Sequence, residues 1–134
     1  MATTNMAYDH PNYLQPLIIP GLNAAGASAK SCRFAAFTTL LPKSLQATVV
    51  TAGTGTGNCT LNVVKIAAGG TAITTLGALI TMSTNAAGYT TNVVCTGTIS
   101  AGDDVYVQHG ADAATGVFTL GLEVRIAPGA NVTV

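Results

Sequence analysis

Few side chains in this sequence are capable of acid-base, nucleophilic or metal-binding chemistry, and they are widely spaced. His10 and His109 are the only histidines in 134 residues, and no serine or cysteine lies in a nucleophile motif such as Gly-x-Ser-x-Gly. A glycosidase needs two facing carboxyl groups, but Glu123 is the only glutamate. We therefore expect that the chain is not an enzyme.

The acidic residues that lie closest together are Asp103 and Asp104, with Asp112 nearby. Their oxygens could bind a cation such as calcium, but their spacing matches no calcium-binding loop. They follow Ala101-Gly102 and precede an apolar pattern, which is typical of a turn whose aspartate accepts bonds from backbone amides. The sequence favours turn chemistry, and we predict no metal site.

The glycine-rich run from Gly53 to Asn58 is the one stretch with the composition of a phosphate-binding loop. Such a loop also needs a lysine followed by serine or threonine at its end, and then a helix. Both are missing from this stretch, so it is predicted to be a hairpin loop. We predict no cofactor.

Three cysteines, Cys32, Cys59 and Cys95, form an odd set without the spacing of a metal site. Each lies on or beside an apolar face of a predicted strand, which favours buried thiols over a disulfide. His109 is two positions after Val107 and shares its phase, so we expect a partly buried imidazole on the inner face of a strand.

The composition excludes some classes of partner. Only 7% of the residues are charged and the formal net charge is zero, so no basic surface is available for nucleic acid or anionic lipid. No apolar run is long enough to span a bilayer and no signal peptide is recognisable, so the chain is expected to be soluble and unprocessed. A neutral protein with so few charges suits a fixed place in an assembly.

The elements that must carry these residues are strands, and the clearest is Val117–Ile126. Large apolar side chains occupy every second position, and both charges lie on the other face. This period of two residues predicts a half-buried β-strand. The inward residues of this predicted strand are Phe118, Leu120, Leu122, Val124 and Ile126.

Seven or eight such strands follow one another about every ten residues, with no credible helix. We predict a strand from Ser31 to Leu41 that ends at Pro42, and one from Leu45 to Ala52. A third starts at Cys59 and changes phase at Val64, which indicates a bulge. The stretch from Thr71 to Met82 is predicted to form one strand, or two strands broken at Gly77. The remaining predicted strands are Tyr89 to Ile99, Val105 to Val107 and Val117–Ile126.

This pattern predicts an all-β fold, an antiparallel β-sandwich. Jelly-roll topology is favoured for eight strands, although an immunoglobulin-like order is not separated from it by sequence. Residues 30–134 are assigned to the sandwich domain, and residues 1–29 to an extended N-terminal arm and linker.

The segment from Met1 to Ala29 differs from the rest of the chain. Its prolines disfavour a helix, and its apolar side chains are too many for a solvated tail. Two arrangements fit equally: Gln15 to Ile19 forms an edge strand of the same domain, or the segment binds a neighbouring molecule.

Both ends of the chain resemble known phage proteins. Ala7-Tyr-Asp-His-Pro-Asn-Tyr-Leu14, followed by a small-residue linker and Arg33-Phe-Ala-Ala-Phe37, resembles the opening of small structural proteins from the head gene clusters of tailed phages, including those of cyanobacteria. The stretches Thr98–Val105 and Gly116–Val124 are similar to the closing strands of phage decoration and fibre domains.

This resemblance implies a capsid decoration, or cement, protein on the exterior of the virion. Such a protein is expected to bind the major capsid protein, to stabilise the head and to form a homotrimer. The binding residues implied in the arm are Tyr8, His10, Tyr13, Leu14, Leu17, Ile18 and Ile19. The alternative is a glycan-binding module such as a tail fibre or spike, for which only Tyr89 and Tyr106 offer stacking surfaces outside the arm.

Overall fold

The computed structural model describes residues 15–23, 29–54, 59–77, 79–82, 86–110 and 115–127, with the backbone alone for residues 15–23. These residues form nine strands and no helix. The strands are β1 Gln15–Asn23, β2 Phe34–Ala35, β3 Leu40–Thr51, β4 Cys59–Ile66, β5 Ile73–Thr75, β6 Ile80–Met82, β7 Thr90–Val94, β8 Asp104–His109 and β9 Val117–Ile126. This part of the chain contains no long apolar helix that could cross a bilayer.

The strands form two sheets. One has the order β1-β9-β3-β7, and the other has the order β2-β8-β4-β5 with β6 also paired to β4. We call them sheet A and sheet B. Every strand pair is antiparallel. The predicted all-β antiparallel sandwich is therefore confirmed.

Strand β9 lies inside sheet A, between β1 and β3, and has the predicted bounds. Its side chains alternate as predicted: Phe118, Leu120, Leu122 and Val124 are buried and Ile126 is half-buried. They pack with inward residues of β3, β4 and β8 into a single core between the sheets. Burial of this face is the main term that stabilises the sandwich, because each fully buried aliphatic side chain contributes about 1.5–3 kcal/mol.

The predicted strand end at Pro42 is wrong. Strand β3 continues from Leu40 to Thr51, and Pro42 is buried within it. The register with β9 shifts between Pro42 and Ser44, which is a bulge. A proline is tolerated at a bulge because the ladder bond it cannot donate is already interrupted there. Most of the predicted strand from Ser31 to Leu41 is irregular, and only Phe34–Ala35 forms a strand within it before β3 begins.

The predicted bulge in β4 is also wrong. This strand pairs with β8 in unbroken register from Leu61 to Ile66. Val63 and Val64 are both buried although they face opposite sides of the sheet. The change of phase therefore reflects the burial of Val64 on the outer face of sheet B.

Of the two alternatives predicted for Thr71 to Met82, the structure has two strands broken at Gly77, since β5 ends at Thr75 and β6 starts at Ile80. A Cβ at Gly77 would lie 2.7 Å from the carbonyl oxygen of Val94, so only glycine allows the backbones to approach this closely. Cys95 forms a bridge with Gly77, which joins the two sheets at this side of the sandwich.

Of the two arrangements considered for the N-terminal segment, the structure shows the edge strand that belongs to the same domain. Gln15–Asn23 forms β1 at the edge of sheet A and pairs with β9 from Gln15↔Val124 to Asn23↔Val117. The strand is longer than the predicted Gln15 to Ile19 and belongs to the sandwich. Residues 1–14 lie outside the described residues.

Candidate functional site

Three turns that are distant in sequence meet at one end of the sandwich. They are residues 36–39, 67–70 and 100–103, and we call them the three-turn tip. The amide of Ala36 donates to the Asp103 carbonyl at 2.9 Å, and the amide of Gly102 donates to the Ala36 carbonyl at 2.7 Å. Gly102 has φ +87°, and a Cβ there would lie 3.2 Å from the Ala68 Cβ. The tip is therefore tightly packed and hydrogen-bonded.

Asp103 is the polar centre of this tip and is 3% exposed. Its Oδ2 accepts bonds from Lys65 Nζ at 2.7 Å and from the Ser100 amide at 2.9 Å. Lys65 Nζ also donates to the Thr98 carbonyl at 2.7 Å. The Lys65 hydrogen bond lowers the pKa of Asp103 and outweighs the opposing effect of burial.

The predicted turn chemistry is thus confirmed for Asp103. Asp104 pairs with Arg33, whose Nη1 donates to Asp104 Oδ2 at 2.9 Å, whereas Asp112 lies outside the described residues. Within the described ranges, no group of three or more histidine, cysteine and acidic side chains could hold a metal ion.

Phe37 protrudes from the three-turn tip and is 100% exposed. The other exposed residues of the tip include Ala67, Ala68, Ser100 and Ala101, which are small and uncharged. The only charged residue in the three turns is Asp103, and Lys65 neutralises it. A rigid, neutral surface with one protruding aromatic ring suits insertion of that ring into an apolar pocket of another molecule.

A second cluster lies on the outer face of sheet B around Tyr106. This residue pairs with Val64, points away from the core and is nevertheless 0% exposed. The Arg33 Cζ lies 4.5 Å from the centroid of its ring, and the Lys30 Nζ lies 5.5 Å from it. Two of the five basic residues therefore cover one tyrosine through cation-π contacts.

The segment that carries these cations is held along β8. Lys30 forms a bridge with Gln108, and the Ser31 amide donates to the Val107 carbonyl at 2.9 Å. The Val107 amide donates in return to the Ser31 hydroxyl at 2.9 Å, so a side chain replaces a backbone carbonyl in the ladder. This irregular pairing allows Lys30 and Arg33 to lie on the same side as Tyr106.

Two buried polar atoms on this outer face lack a hydrogen-bond partner in the described part of the chain: Tyr106 Oη and Asn62 Oδ1. Asn62 pairs with Gln108, two residues along β8 from Tyr106. A buried polar atom without a partner costs about 1–3 kcal/mol. Such atoms in a native protein require an explanation, and one explanation is a bound group.

Sheet A carries a shallow groove of about 290 Å³ on its outer face. It lies above Gly121, where the missing side chain leaves open space. Three of its five lining residues carry a hydroxyl or amide group, and Thr48 Oγ1 lies 2.8 Å from Thr90 Oγ1 beside it. The lining residues are Gln46, Thr48, Thr119, Leu120 and Gly121.

The three cysteines all lie in the described residues, and no disulfide joins them. Cys59 and Cys95 are buried as predicted, and burial raises the pKa of the Cys95 thiol to about 11. Cys32 is exposed, which contradicts the prediction. It lies in the irregular segment before β2, where strand alternation does not apply. His109 faces the core as predicted and is fully buried.

The arm residues predicted to bind a partner divide into two groups. Tyr8, His10, Tyr13 and Leu14 lie outside the described residues. Leu17, Ile18 and Ile19 belong to β1, where their backbones pair with Leu122, Gly121 and Leu120 of β9. A binding role for these seven residues stays a prediction.

Sequence reasoning missed the two outer clusters as sites. Phe37 lies within the predicted strand from Ser31 to Leu41, but its place on a packed tip depends on contacts with residues 67–70 and 100–103. Tyr106 was considered as a stacking surface, but its ring is buried under Arg33 and Lys30. Tyr89 remains 47% exposed.

Comparisons with known proteins give one structural similarity. No protein-family model matches the chain, and no curated protein matches it. The fold is similar to a chain in the structure of infectious bursal disease virus, Gx strain, with a TM-score of 0.39 and 13% identity. The match covers 88% of this chain but only 37% of the viral chain.

Proposed function

We propose that this chain is a structural virion protein, a decoration protein that binds the outer surface of the major capsid protein shell and stabilises the head. The observation that carries the proposal is the three-turn tip, which is rigid and neutral and exposes Phe37 completely. Desolvating such a surface costs little, and an inserted aromatic ring contributes strongly to binding. In this role the chain is non-catalytic and acts as a homotrimer on the capsid exterior.

The strand pairings support a jelly-roll topology for this sandwich. If β5 and β6 are counted as one strand broken at Gly77, the chain has eight strands. The first then pairs with the last, the second with the seventh, the third with the sixth and the fourth with the fifth. This is the pairing of a long hairpin folded into two sheets, and jelly rolls occur among viral capsid and lectin domains.

The resemblance of the two chain ends to phage head proteins and the low charge also support the proposal. Because residues 15–23 belong to sheet A, the arm that is available to reach the shell is restricted to residues 1–14. Tyr8, His10, Tyr13 and Leu14 are then the arm residues that bind the shell, through extended backbone and apolar pockets.

Replacing Phe37 by serine should abolish most of the shell binding and leave the fold intact. Since the side chain is fully exposed, the free energy of unfolding should change by less than about 0.5 kcal/mol. Loss of an anchor worth about 2 kcal/mol should raise the Kd for undecorated heads about thirtyfold. Co-sedimentation with heads that lack the protein measures this constant.

The matched control is Val50→Ser, which changes a 50% exposed apolar residue near the far end of β3 from the tip. This variant should decorate heads normally. If Phe37→Ser binds heads with unchanged affinity, the tip is not the contact surface. If the unaltered protein does not bind heads at all, the decoration role itself is wrong.

The groove above Gly121, with the side chains of Gln46, Thr48 and Thr119, favours a second candidate function, glycan binding. Its hydroxyl and amide groups suit sugar hydroxyls, and the exposed Tyr89 directly precedes Thr90 at its margin. Specific binding on a glycan array that is lost in a Thr48→Val variant would favour this function over shell decoration.

A further inference from the structure

The cluster around Tyr106 carries more positive charge than its neighbours neutralise. Arg33 is paired with Asp104 through Nη1 alone, so its other N–H groups remain available. Lys30 is exposed and forms no ion pair with any carboxylate in the described ranges. The group therefore has a net charge of one positive unit on the outer face of sheet B.

Tyr106 adds a hydrogen-bond donor to this charge. Its hydroxyl is buried without a partner in the described part of the chain, and it belongs to the ring that both cations face. The Lys30 Nζ lies 5.5 Å from the ring centroid, on a long, exposed side chain that can rotate without disturbing the sheet. Two cations therefore lie beside the same fully buried ring that carries the unpartnered hydroxyl.

We propose that Lys30, Arg33 and Tyr106 form a binding subsite for a carboxylate group. One oxygen of the carboxylate accepts from the Tyr106 hydroxyl, and the other accepts from Lys30 Nζ or from an unused N–H of Arg33. A single negative charge matches the one uncompensated positive charge, whereas a phosphate dianion would leave an excess. Asn62 pairs with Gln108, which is the next residue of β8 on the same face as Tyr106. Its Oδ1 is an acceptor for an N–H group next to that carboxylate.

This subsite does not depend on the decoration role, because its test uses the purified chain alone. The probes are the capped peptides acetyl-Gly-Glu-Gly-amide and acetyl-Gly-Gln-Gly-amide, and glucuronate. In an NMR titration, the glutamate peptide or glucuronate should shift the amide signals of β8 and of residues 29–33. The glutamine peptide should not. Tighter binding of the peptide identifies a protein carboxylate as the ligand, and tighter binding of glucuronate identifies a sugar acid.

Tyr106→Phe and Lys30→Gln are the test variants, and Lys43→Gln, at an exposed lysine of β3, is the control. Loss of one hydrogen bond to a charged ligand should raise the Kd about tenfold in each test variant. The control should bind as the unaltered chain does. Tyr106→Phe should be at least as stable as the unaltered chain, because the hydroxyl has no partner to lose.

Three results would overturn the subsite. The first is equal affinity for the glutamate and glutamine peptides with no response to glucuronate. The second is unchanged carboxylate affinity in Tyr106→Phe. The third is a clear loss of stability in Tyr106→Phe, which would mean that the hydroxyl is satisfied within the folded chain.

Discussion

Replacing Asp103 by alanine is expected to lower the free energy of unfolding by about 3 kcal/mol at neutral pH. The change leaves the Lys65 ammonium, on a side chain that is 19% exposed, without its carboxylate partner. It also removes the acceptor for the Ser100 amide in the same turn. Urea unfolding of the two proteins at pH 7 measures the difference.

The same substitution should change how stability depends on pH. The pKa of Asp103 is lowered in the folded protein, so its ionised form is stabilised by folding. This stabilisation is fully present above the pKa of an unfolded aspartate, roughly 4, and is lost as the pH falls through the lower folded pKa. The difference in stability between the unaltered protein and Asp103→Ala should therefore shrink in acid. A difference that stays constant down to about pH 2 would contradict this.

Asp104→Ala is the matched control for this prediction. Its partner Arg33 has a side chain that is 46% exposed, and such exposed ion pairs contribute at most about 1 kcal/mol. The control should therefore cost much less than Asp103→Ala. Equal losses in the two variants would mean that Lys65 and Asp103 contribute no more than a surface pair.

Deleting residues 1–23 should unfold the domain or remove most of its stability, whereas deleting residues 1–14 should leave it folded. The longer deletion removes β1, which pairs with β9 over seven register positions. Each lost hydrogen bond costs about 0.5–1.5 kcal/mol, and the total approaches the 5–15 kcal/mol that holds a typical domain folded. Strand β9 would also become an unprotected edge.

Thermal unfolding followed by circular dichroism distinguishes the two deletions. If the chain without residues 1–23 melts within a few degrees of the full chain, β1 is dispensable and acts as a detachable arm. The shorter deletion also tests the arm without damaging the sandwich. Under the proposed function it should remain folded and bind undecorated heads more weakly.

Local sequence predicted the features that depend on neighbouring residues. The alternation in Val117–Ile126 gave the bounds of β9 and its buried face, because five large apolar side chains at every second position fit few other structures. The turn at Asp103, and a break at Gly77 as one of two alternatives, were predicted for the same reason, since aspartate and glycine have short-range conformational preferences.

Features that depend on distant residues were not predicted. Val64 is buried on the outer face of sheet B beside Tyr106, which Arg33 covers from an irregular segment about 70 residues away along the chain. The bulge at Pro42 is a shift in the pairing of β3 with β9, which lies about 80 residues further along the chain. The three-turn tip joins segments about 30 residues apart, so no local sequence pattern indicated that Phe37 would protrude from a packed turn.

The position of β9 has a consequence for biosynthesis. The ribosome makes this strand last of the nine, yet β1 and β3 both hydrogen-bond to it. Strand β1 emerges about 100 residues earlier and has no partner in its own sheet until residues 117–126 appear. Such long-range pairing makes folding slow and leaves strand edges open to other nascent chains. The yield of soluble protein should therefore rise at a lower growth temperature, because apolar association between incomplete chains weakens on cooling.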